Sequence, residues 1–117
     1  MKKIVLLALA LTLSCADSGL PPAPHNVSAD SSGGGADVRW GYDDAPGLAH
    51  FIIQRSDGVN YNFRDWAQVP ADRRTYRDDA VVVGEWYYYR VAAFFKEWNG
   101  QHDVRSKYSA EAGVKIE

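Results

Sequence analysis

Three histidines, two adjacent carboxylate pairs, scattered serines, a glycine run and one cysteine are the residues of this chain whose types could do chemistry. His25, His50 and His102 could bind a metal as neutral imidazoles, but they fall on separate segments without the short spacing that zinc sites use. They read as surface residues, and no metal ligand set is assigned. Asp43-Asp44 and Asp78-Asp79 could serve acid–base work or hold calcium, yet both stand among turn formers, where Asp caps backbone amides. A serine nucleophile needs an oriented histidine and acid beside it, and the serines here sit in turns without a strained strand-to-helix elbow. Gly33-Gly34-Gly35 would cradle phosphate only ahead of a helix N-terminus, and the residues after Gly35 are strand-like, so the run reads as a flexible loop. No catalytic residue and no cofactor is expected.

The cysteine is different. Met1-Lys2-Lys3 is a short positive segment, and residues 4–13 are an unbroken apolar run about half as long as the ~20 residues that span a bilayer. Residues 1–14 therefore read as an export signal. The segment Leu11-Thr12-Leu13-Ser14-Cys15 resembles the lipobox of bacterial lipoproteins, with Thr12 where that motif prefers Leu. The resemblance implies cleavage before Cys15 and diacylglycerol on its sulfur. It also implies a cell-envelope location, at the outer membrane of a Gram-negative source because Ala16 rather than Asp follows, with the domain in the periplasm or at the surface. Ordinary cleavage after a small residue would instead leave Cys15 a free thiol or remove it.

Once cut there, the chain loses Lys2 and Lys3 and carries a formal charge of about −4. That gives no basic footprint for nucleic acid. With one cysteine no internal disulfide can form, so stability must come from a packed core, for which about 100 residues suffice. Residues 15–24, with Pro21, Pro22 and Pro24, read as a short semi-stiff stalk, and residues 25–117 as one domain.

Within that domain, apolar residues alternate in short segments bounded by turn formers. The segments are residues 25–30, 37–42, 50–55, 66–69, 75–77, 86–95 and 110–116. Seven strands at this spacing, with no helical period, predict an all-β antiparallel sandwich.

The order Pro22-Ala23-Pro24-His25-Asn26-Val27, Val38-Arg39-Trp40, Phe51-Ile52-Ile53-Gln54-Arg55-Ser56-Asp57-Gly58, Thr75-Tyr76-Arg77-Asp78 and Gly84-Glu85-Trp86-Tyr87-Tyr88-Tyr89-Arg90-Val91 resembles a bacterial fibronectin type III domain. The resemblance covers nearly all of the mature chain. It implies an immunoglobulin-like sandwich with Trp40 in the core of strand B and Tyr87 as a tyrosine corner at the start of strand F. It further implies a spacer, adhesion or ligand-binding role. Between strand F and the closing segment the chain has more residues than the family's usual loop.

Strand alternation turns Tyr87, Tyr89, Val91 and Ala93 to the core, and Trp86, Tyr88, Arg90 and Phe94 to the outer face beside Ile52 and Gln54. Those rings could stack on sugar or a protein, or else pair across strands with Arg90 over a ring. Asn99-Gly100 predicts a two-residue hairpin that projects with Trp98 near its tip, as a contact residue or folded back near Phe94. The expected function is a non-catalytic binding or adhesion module, held on the membrane by its lipid and contacting an envelope protein or extracellular glycan. The alternative is an accessory subunit packed against another envelope protein.

Overall fold

A computed structural model describes residues 19–117; the expected export signal and Cys15 lie outside the described residues. Seven strands form where the sequence alternates, and an eighth, after Asn99-Gly100, where that turn predicts a hairpin. Eight strands run in order: β1 (His25–Ser32), β2 (Gly35–Gly41), β3 (Leu48–Asp57), β4 (Arg64–Pro70), β5 (Thr75–Asp78), β6 (Trp86–Trp98), β7 (Gln101–Arg105) and β8 (Ala112–Lys115). All pairings are antiparallel. One sheet has the order β1-β2-β5; the other runs β4-β3-β6-β7, with β8 also on β6. No helix occurs among the described residues.

The inward residues of the two sheets make one core. Val38 and Trp40 of β2 meet Phe51 and Ile53 of β3 and Tyr87, Tyr89, Val91, Ala93 and Phe95 of β6, all buried. The Trp40 ring stands edge-on to Phe51, centroids 5.3 Å apart. The Tyr87 hydroxyl accepts the backbone N–H of Val82 at 2.8 Å, five residues upstream, as a tyrosine corner requires.

Four expectations change. The extra residues after β6 are not an insertion: β7 pairs with the last part of β6 and β8 with its start, so one edge strand is broken in two. Across the break, Ser109 and Ser106 bond β6 with both backbone and side chain, their hydroxyls accepting the N–H groups of Val91 and Ala93. Short hydroxyls replace a missing ladder there. The glycine run is a tight turn rather than a flexible loop, with Gly33 and Gly34 at φ 58° and 80° and Ser32 paired to Gly35. Asp78 ends β5 buried in the core rather than at the surface, while its carboxylate still caps the Ala80 amide. Finally, packing begins ahead of His25: Pro21 and Pro24 are buried, and the Tyr42 hydroxyl donates to the Pro22 carbonyl at 2.8 Å.

Candidate binding surface

Arg55 and Asp78 are an ion pair inside a hydrophobic sandwich, 4 % and 1 % exposed. Arg55 Nη1 meets Asp78 Oδ2 at 2.9 Å, and the same oxygen accepts the Tyr89 hydroxyl at 2.7 Å. Asp57 holds the other edge of the guanidinium, which lies 3.5 Å over the Trp66 ring and 4.8 Å from that of Tyr87. Burial opposes the charge on Arg55, but its hydrogen bonds to Asp57 and Asp78 outweigh it and raise its pKa. Burial and the Asp78 carboxylate push the Tyr89 phenol well above its usual range.

This network does more than neutralise itself, because it fixes a loop. Asp78 Oδ1 accepts the Ala80 N–H at 3.0 Å, and Arg55 Nη1 donates to the Ala80 carbonyl at 2.8 Å. With the Tyr87 bond to Val82, the segment after β5 is held at three points. Its Val82 and Val83 are 61 % and 63 % exposed. The loop between β3 and β4 is fixed similarly: buried Ser56 donates to the Val59 carbonyl and accepts the Asn62 N–H, while Gly58 N–H bonds the Trp86 carbonyl. Val59, Tyr61 and Trp86 are also exposed, Tyr61 by 80 %. Five large apolar side chains thus gather at one end of the sandwich on loops locked by buried polar groups. Such rigidity lowers the ordering cost of binding.

The residues singled out from sequence divide among three places. Trp86 belongs to the apolar end and stacks on Tyr88, centroids 6.0 Å apart. Tyr88, Arg90 and Phe94 face outward as alternation requires, but they are paired. Phe94 stacks on His50 at 4.7 Å, and burial with the nearby Lys96 charge lowers the His50 pKa. Arg90 lies between the rings of Phe63 and Tyr108, at 4.3 and 4.6 Å, and donates to Gln54. Arg105 also lies over the Tyr108 ring, at 4.5 Å. Most of that face is a self-satisfied ladder of cations and rings.

Trp98 is at the opposite end. The Asn99-Gly100 turn has the positive φ values expected, 49° and 82°, and Trp98 pairs with Gln101, Glu97 with His102 and Phe95 with Val104. Lys96 reaches Asp103 at 3.5 Å, although positive φ at Asp103 interrupts the ladder. The hairpin does not project freely. Its Lys96 N–H bonds Gly47 in the loop after β2, and the Trp98 ring sits edge-on to Phe95 at 4.9 Å, on the core side rather than beside Phe94. Trp98, Tyr42, His25 and Pro22 line a cleft of about 150 Å³. Cys15 lies outside the described residues. Among those described, no group of three or more His, Cys, Asp or Glu is placed to hold a metal.

Sequence alone did not single out Arg55 or the exposed loop valines, and it read Asp78 as a turn residue rather than as a buried partner of Arg55. The signal for the valines was the run Val81-Val82-Val83 between an Asp pair and Gly84, an apolar stretch where a turn was due.

No family model matches the chain, and no curated protein matches it. Solved structures do. An Fn3-like protein from Clostridium thermocellum is 29 % identical with a TM-score of 0.65, over 83 % of this chain and 94 % of its own. A myokine structure is 20 % identical with a TM-score of 0.65, over 82 % and 97 %. A β-1,2-glucanase from Parabacteroides distasonis matches at 20 % identity and a TM-score of 0.60 over 83 % of this chain, which spans only 12 % of that enzyme. With its two antiparallel sheets, tyrosine corner and these neighbours, the described chain is a fibronectin type III-like β-sandwich.

Proposed function

We propose that this protein is a non-catalytic binding module of the bacterial cell envelope, displayed by a lipid on Cys15, and that it grips a partner protein through the end carrying Val59, Tyr61, Val82, Val83 and Trp86. The observation that carries the reading is the exposure of these five side chains on loops fixed from beneath by Arg55, Asp78, Tyr87 and Ser56. Apolar groups clustered in water favour an interaction site, and exposed aromatics contribute most to such contacts. The outer sheet face is less suited, because its Arg90, Tyr108 and Phe94 already have partners. The leader and the lipobox-like Leu11-Thr12-Leu13-Ser14-Cys15 support envelope display. An accessory subunit would use the same end for a permanent contact. A photo-crosslinking residue at Val83, in cells producing the protein, is expected to capture one envelope protein that the same residue at Arg39 does not. Identical or absent adducts at the two positions would refute the assignment.

A further inference from the structure

The docked prolines restrict how such an anchored domain can stand. Pro21 is buried, so only six Cα–Cα steps separate Cys15 from a residue fixed on the sandwich, a reach of no more than about 20 Å in any conformation. The exit point is at one end. Pro22 and Ala23 share a cleft with Tyr42, Asp43, Ala45 and Trp98, and Leu20, Pro21 and Pro22 line another with Lys107. The loop after β2 and the β6–β7 turn are tied to each other there through Gly47 and Lys96. From Trp98 to Trp86, β6 runs 13 residues, about 40 Å, to the apolar end.

We infer that the end formed by residues 43–47 and 97–101 rests on the lipid headgroup layer, so that Val59, Tyr61, Val82, Val83 and Trp86 point away from the membrane. This rests on the lipid-anchor reading above. The short tether holds the first end close to the bilayer, and in the upright orientation the second stands about 40 Å farther out. Asp43, Asp44, Lys96, Glu97 and Asn99 give the near end a polar surface of both signs, suited to headgroups rather than to the hydrocarbon core. Lying flat gains little. One sheet face carries Asp30 with Arg39 and Asp37 with Arg77, and on the other Arg90 and Arg105 lie over the rings of Phe63 and Tyr108 while Phe94 stacks on His50, so neither leaves lipid an open apolar or uniformly basic strip. Trp98 is then a packing residue facing the membrane, not the tip that meets a soluble partner.

Among the described residues the core lies within residues 21–117, and the chain from Cys15 onward contains all of it. That chain, coupled through its single thiol to a maleimide lipid in vesicles of phosphatidylethanolamine and phosphatidylglycerol, is compared by amide hydrogen exchange with the same chain capped by N-ethylmaleimide. Exchange is expected to slow several-fold in residues 43–47 and 97–101 and to stay unchanged in 58–63 and 80–85. About ten Gly and Ser residues inserted after Ala16 should remove the slowing. Equal exchange at the two ends, slowing at 58–63 or 80–85, or slowing that survives the longer tether would overturn the orientation. Because the coupling is chemical, its outcome is independent of whether the cell acylates Cys15.

Discussion

A guanidinium and a carboxylate survive inside an apolar sandwich only when every charge finds a partner, and Arg55, Asp57, Asp78 and Tyr89 meet that condition together. Removing one member should cost more than the pair contributes, because the other stays buried. Asp78→Ala is expected to lower unfolding free energy by about 3–5 kcal/mol in urea titration, and Tyr89→Phe by about 1–3 kcal/mol. A smaller loss in Asp78→Ala than in Tyr89→Phe would contradict the network. Tyr42 gives a second residue-scale test. Burial raises its pKa from 10.0 to about 12, against the opposing pull of Arg74, so its neutral form is the one the fold favours. A raised pKa means stability is intact below about pH 10 and falls as pH climbs toward 12. Tyr42→Phe should flatten part of that fall in alkaline melting curves, and an unchanged slope would refute it. Alternation could not reveal these roles. Arg55 and Asp78 are polar residues at inward positions, and nothing local says that two distant polar residues will meet.

At the scale of elements, most of the architecture was legible because a strand writes its burial into every second residue. Trp40, Tyr87, Tyr89 and Val91 lie in the core as read, and the Asn99-Gly100 turn fixed the register of β6 and β7. What alternation could not show was how hairpin and loop meet. At Gly47, with φ 86°, a Cβ would run into the Glu97 carbonyl oxygen, a contact between segments about fifty residues apart. This contact draws the hairpin back and packs Trp98 on Phe95. Gly47→Ala should therefore cost about 2 kcal/mol, and Trp98→Ala a similar amount for a half-buried ring. Thermal denaturation of both variants checks this. Unchanged melting in Trp98→Ala would mean that the hairpin stands free of the domain.

For the molecule as a whole, the two ends differ in kind. One is polar, holds the N-terminal prolines and packs its tryptophan inward; the other exposes five large apolar side chains on fixed loops. Composition and spacing carried the sandwich but not this polarity, which depends on where Val82, Val83 and Tyr61 fall once the sheets close. The proposed display by a lipid would give the asymmetry its use, and the intact mass of the protein from its membrane fraction tests that proposal most directly. A mature chain beginning at Cys15 and carrying acyl groups is expected, with Cys15→Ala unacylated and either unprocessed or released from the membrane. A free Cys15 thiol, a chain starting beyond residue 15, or a Cys15→Ala protein that partitions into detergent like the parent would contradict it.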